Sequence, residues 1–163
     1  MNDINWWLDV FKILIPIVTV LLAGFFALHR MKQNVKLEAR LKWKEEFRNR
    51  IVDFMHTESL LNNKAIFYDL EKEHDGNHEK TDEYLEITYK LHSIYYSIDM
   101  MLDFNDLRAE ALNESYKSIL DDINRQVESK PRPTNEEDED YLGNFYEWAK
   151  QIYNDDKYID SVL

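Results

Sequence analysis

The sixteen residues from Ile13 to Leu28, ILIPIVTVLLAGFFAL, carry no charge. As a helix, at about 1.5 Å per residue, they span roughly 24 Å, slightly less than the roughly 30 Å hydrocarbon core of a bilayer. Val10 and Phe11 lengthen the run if Lys12 snorkels toward the headgroups. Trp6 and Trp7 precede it, where an interfacial aromatic belt belongs. Pro16 falls in the first turns, where a lost amide bond does least damage. A cleaved signal peptide would begin with basic residues and end in small ones, whereas this start is acidic and the far end reads GFFALHR. The pattern predicts a retained transmembrane helix over residues 10–28, in a membrane anchor comprising residues 1–29.

Charge sets the expected orientation. Residues 29–50 carry eight Lys/Arg against three Glu, whereas residues 51–163 carry 11 basic against 27 acidic residues, a net of −16. The positive side of a single-pass helix stays in the cytoplasm, so the N-terminus is expected outside and the C-terminal part inside, at the inner membrane if the source is bacterial. A body at −16 repels a nucleic-acid backbone, which argues against general nucleic-acid binding. The absence of Cys removes disulfides, thiolate metal sites and Cys nucleophiles together.

Three Gly and three Pro in 163 residues are too few for a turn-rich β fold, so an all-α chain is expected. After a basic connector at residues 30–42, an apolar stripe recurs at Trp43, Phe47, Ile51, Phe54, Leu61 and Ala65, which keeps one face of a helix. With no Gly or Pro over residues 25–75, the simplest reading is one long helix that leaves the membrane and continues into the soluble domain, a break near Asn34 or Asn62-Asn63 being the alternative. A charged loop follows at residues 71–83, then a helix over about residues 82–102 with Tyr84, Leu91, Tyr95 and Ile98 inward. DFND (103–106) supplies a turn and an N-cap, and the next helix turns Leu112, Tyr116, Ile119 and Ile123 inward. SKPRPTNEEDED (129–140) reads as an acidic linker with capping-box spacing from Thr134 to Glu137. A last helix then buries Leu142, Phe145, Trp148, Ala149 and Ile152. The expected architecture is a transmembrane helix followed by a small cytosolic four-helix bundle over residues 43–163.

Sites are sparse in the sequence. His74 and His78 form an i, i+4 pair with flanking carboxylates, but Gly76 and Asn77 between them favour a solvated loop over a zinc site. There is no Gly-x-Ser-x-Gly, no P-loop and no calcium-loop alternation, so no catalytic residue, no cofactor and no enzymatic activity is expected. Three readings compete for the basic segment. Arg40, Lys42 and Lys44 suit topology and contact with lipid headgroups. Arg48 and Arg50 could pair with the acidic body. In an oligomer, Arg48, Arg50, Lys130 or Arg132 could form a ring that takes a phosphate-bearing ligand. Trp43, Phe47 and Trp148 read as core or interface anchors. Ala23-Gly24 offers a small-residue patch for helix association, and the surplus of aromatics leaves some for an interface, so a homo-oligomer is expected alongside the lipid bilayer as partner.

RLKWKEEFRNRIVDFM, with Trp43 followed five residues later by Arg48, resembles a segment in uncharacterised small bacterial single-pass membrane proteins, with Phe47 in place of their usual Leu. YYSIDMMLDFNDLRAEAL is similar to the same group's apolar helix, Asn-containing turn and following helix, although Phe104-Asn105 stands where Asn-Pro is usual. YEWAKQIY, with Glu147, Trp148 and Lys150, is similar to their closing helix. The resemblance implies an anchor plus a cytosolic helical domain, and, from the group's association with antiviral genes, a role in defence. In domain order alone the chain also resembles nucleotide-gated antiviral membrane effectors. That likeness implies a sensor that oligomerises on a cyclic oligonucleotide and perturbs the membrane. The alternative is a passive anchor or adaptor that recruits a cytosolic partner.

Overall fold

The computed structural model describes residues 3–75, 82–127 and 140–163, with side chains described for 10–65, 83–125 and 140–163. The described residues are all-helical, without a strand. Helix α1 runs Asp3–Asp75, α2 Asp82–Asp99, α3 Leu107–Val127, α4 Tyr141–Asn154 and α5 Asp156–Val162. The chain divides into two compact units, residues 1–41 and 42–163, with the boundary inside α1. Neither Asn34 nor Asn62-Asn63 breaks α1, because their neighbours are strong helix formers and Pro16 is the helix's one proline.

In the first unit every residue from Phe11 to Glu38 is exposed. The apolar run therefore has no protein core to enter, and among the described residues this is the helix long and apolar enough to cross a bilayer. The Thr19 hydroxyl donates to the Ile15 carbonyl at 2.8 Å, which satisfies the polar group within the helix itself. Thr19, Ala23 and Ala27 follow one another at four-residue steps, a longer small-residue row than Ala23-Gly24 alone.

The second unit has one core. Trp43, Phe47, Ile51, Phe54, Leu61 and Ala65 are all buried. Trp43 stacks on Phe47 at 4.7 Å, and Phe54 stacks on Phe145 of α4 at 4.3 Å. Phe54 also meets Tyr116 of α3 edge-on at 5.9 Å, and Tyr116 lies flat against Tyr95 of α2 at 3.6 Å. One aromatic column thus joins four helices, and such contacts add to what area burial alone supplies.

The ends of the helices follow local chemistry. The α2–α3 turn begins at Met100, earlier than the expected end at 102, and Leu102 still turns into the core. Asp106 caps α3 by accepting the Arg108 amide at 2.8 Å. Asp140 caps α4 through the Gly143 amide at 2.8 Å. Gly143 belongs to that cap, since a Cβ there would come within 2.3 Å of the Asp140 carboxylate. Thr134 and Glu137 lie outside the described residues. Asp155 ends α4 and its side chain accepts the Lys157 and Tyr158 amides, starting the short α5 that the apolar periodicity did not reveal.

Candidate binding groove

Lys44 contacts Tyr153 and Asp156, while ten residues further along α1 Phe54 meets Phe145. Within the second unit, α1 and α4 therefore run antiparallel, and this register sets Arg48 level with Lys150. Between the two helices lies an open groove of about 410 Å³. Phe47, Ile51 and Ala149 form its floor, Val52 and Met55 one wall and Tyr146 and Tyr153 the other. Arg48 and Lys150 stand on its rims. The lining is predominantly apolar, and Val52 remains 58% exposed, so the groove is a place where apolar surface meets water unpaid by any described neighbour.

The two rim cations differ. Lys150 is paired with Glu147 at 3.0 Å and sits over the Tyr146 ring at 5.9 Å. Arg48 is exposed and has no ion-pair partner among the described residues. Arg50, two residues on, points about 200° away around the helix, so the two guanidinium groups of one chain do not converge on a single phosphate. Arg50 is half-buried, and its Nε is buried without a hydrogen-bond partner. Among the described residues neither arginine forms the ion pair with the acidic body that the charge distribution allowed. Lys130, Arg132 and His78 lie outside the described residues, as does the side chain of His74. Among the described residues no group of three His, Cys, Asp or Glu could hold a metal ion.

Lys44 corrects one expectation. Read as lipid-facing, it is only 21% exposed, pairs with Asp156 of α5 at 2.7 Å and lies 5.1 Å over Tyr153. A lysine one step from the core stripe can lay its aliphatic stem on an aromatic ring, and here an acid waits at the end of that reach. Trp43 and Phe47 are buried, and Trp148 is half-buried against the same core.

Three polar constellations escaped the sequence reading. Arg108 grips Asp106 with two bonds, reaches Asp155 at 3.0 Å and lies 5.0 Å over the Tyr158 ring. The Tyr158 hydroxyl in turn accepts the Asp103 amide at 2.7 Å, so the α2–α3 turn is clasped to the α4–α5 junction. The hydrogen bonds from Arg108 hold the Asp106 carboxyl below the usual range, and Asp106 and Asp155 raise the guanidinium. Asp155 is lowered first by the Tyr158 amide and then by Arg108.

The second constellation is buried: Glu58 on α1 and Asp122 on α3 are 6% and 9% exposed. Burial, and then the charge of Asp122, push the Glu58 carboxyl up. Its sequence signal is the seven-residue gap in the core stripe between Phe54 and Leu61, where Thr57 and Glu58 take the inward positions.

In the third, the Tyr116 hydroxyl and His92 Nδ1 form a short hydrogen bond, and Tyr95 donates to Asn113 at 2.9 Å. Burial raises both tyrosines, so both hydroxyls stay protonated at neutral pH. His92 borders a cleft of about 350 Å³ whose mixed lining includes Thr88, Lys117 and Asp121 beside Leu61 and Leu120. No family model, curated protein or solved structure matches the chain.

Proposed function

We propose that the chain is a single-pass membrane protein, N-terminus outside, whose residues 42–163 form a small cytosolic four-helix bundle with α5 as an added turn. The observation that carries this reading is the uncharged run Ile13–Leu28, helical and exposed along its whole length. Leaving that much apolar surface in water would cost about 25 cal/mol for every Å², which a bilayer removes. The Lys/Arg excess at residues 29–50 supports the orientation.

The bundle acts as a sensor. A ligand or partner received by it shifts the association of the anchor helices, and the resulting homo-oligomer perturbs the inner membrane. Arg48, without an ion-pair partner among the described residues and beside open apolar surface, supports a binding role, and the Thr19–Ala23–Ala27 row supports helix association. The resemblance of the Trp43–Arg48 segment supports antiviral or stress defence as the setting, and the likeness in domain order alone supports a cyclic oligonucleotide as trigger.

Induced expression of the full chain in cells loaded with a membrane-potential dye tests the effector role. Loss of potential and of viability, abolished by Ala23→Leu, is the expected result. Unchanged potential with and without infection returns the protein to the alternative, a passive adaptor. That alternative is favoured by the α2–α3 turn, where Met100, Phe104 and Leu107 are each at least 75% exposed and offer a docking tip.

A further inference from the structure

We infer that the groove between residues 47–55 of α1 and α4 binds a single-chain amphiphile with an anionic head. The apolar chain lies along Val52, Met55 and Ala149, and the head is held between Arg48 and Lys150. This deepens the sensor reading and rests on it by naming the ligand class of the same groove.

Charge decides the head. The unit is strongly acidic, with 15 basic against 29 acidic residues over residues 42–163, a net of −14, yet two cations stand at the same level on opposite rims of one apolar groove. Lys150 is already balanced by Glu147, whereas Arg48 has no described counter-charge. A guanidinium offers several donors in a fixed fork, which suits a carboxylate or phosphate oxygen pair. The same acidic body disfavours a polyanion, which would bring many charges where only the rim can receive one.

Size and symmetry decide the rest. A volume of about 410 Å³ falls in the range of small-ligand pockets, whereas a stable protein partner needs about 800 Å² of surface on each side. A second copy seated groove to groove would be self-complementary by symmetry and would place two Arg48 and two Lys150 along one seam. Like charges facing each other oppose that contact. A lone acyl chain meets no such penalty, and a membrane protein has acyl chains at hand.

The five methionines allow the test, since Met55 lines the groove while Met100 and Met101 border a separate cleft and Met31 is exposed in the first unit. Full chain labelled with ¹³C-methyl methionine is placed in phosphatidylcholine nanodiscs and titrated with laurate, dodecyl phosphate, dodecanol and inorganic phosphate. Laurate and dodecyl phosphate should move the Met55 resonance saturably and leave Met100 and Met101 in place. Met31 reports simple partitioning into the disc. Dodecanol should bind about tenfold more weakly or worse, inorganic phosphate alone should leave Met55 unmoved, and Arg48→Gln should weaken laurate by about tenfold while Arg48→Lys retains most of it.

Equal binding of dodecanol, saturation by inorganic phosphate alone, or an unaffected Arg48→Gln variant with unshifted Met100 and Met101 would each overturn the assignment. So would a Met55 resonance that depends on the number of chains per disc, the mark of a second copy in the groove. A protein that stays in the discs but ignores both amphiphiles fails this inference and leaves the anchor standing. A chain that does not enter the discs fails the anchor reading, and the same titration of the soluble chain still decides the groove.

Discussion

Arg108 and Asp106 meet through two near-parallel bonds, Nε to Oδ1 at 2.9 Å and Nη2 to Oδ2 at 2.7 Å. Bidentate geometry of this kind is among the stronger charge-assisted contacts, and the pair is mostly shielded, at 23% and 19% side-chain exposure. Arg108→Ala is expected to cost about 1–3 kcal/mol at neutral pH from the Asp106 pair. The Asp106 carboxyl is held below its unfolded value, so its contribution is full above about pH 4 and is lost as pH falls through the folded-state value. Thermal melts from pH 7 down to pH 2 should show the gap between wild type and variant closing in acid.

Glu58 has the opposite sign. Its folded-state carboxyl is raised, so the folded protein holds the proton more tightly than the unfolded chain. Stability from this group is greatest below about pH 4.3 and falls as pH rises through the raised value. Glu58→Gln should therefore melt higher than wild type at pH 8, by roughly 2–4 °C for each kcal/mol recovered, and differ little at pH 4. Calorimetry at the two pH values checks both the sign and the window.

How much of this was legible in advance varies by residue. The core stripe from Trp43 to Ala65 and the inward faces of α2, α3 and α4 follow from helical periodicity, because burial of one face dominates the choice of helix orientation. Asp106 as a cap was readable from DFND for the same local reason. Arg108 reaching Asp155 was not, since it joins residues 47 apart and no periodic signal relates them. Lys44 was misread because its charge was weighed and its aliphatic stem was not. The groove depends on which residues α4 leaves uncovered on α1, a property of the packed pair and not of either helix alone.

The aromatic column should be costly to interrupt. Phe54 is fully buried between Phe145 and Tyr116, so Phe54→Ala is expected to lose about 3–5 kcal/mol. Phe54→Leu, which keeps most of the volume, should lose much less. Urea denaturation of the two variants separates a cavity cost from a general intolerance of change.

Two neighbouring cations should respond differently to removal. Lys44→Ala loses the Asp156 pair and the Tyr153 contact and should destabilise by up to about 1 kcal/mol. Arg48→Ala loses no described pair and should change stability by less than about 0.5 kcal/mol. A stability loss at Arg48 equal to that at Lys44, read from the same melts, would mean that Arg48 serves the fold rather than a ligand.

The anchor and its orientation are tested most directly by single-cysteine labelling, because the natural chain contains no Cys. Asn2→Cys and Ser118→Cys are introduced separately, and intact cells, then permeabilised cells, are treated with a membrane-impermeant maleimide. The expected result is a protein that resists alkaline carbonate extraction, labelled at position 2 in intact cells and at position 118 only after permeabilisation. Release of the chain by carbonate, or labelling of position 118 from outside, would contradict the account.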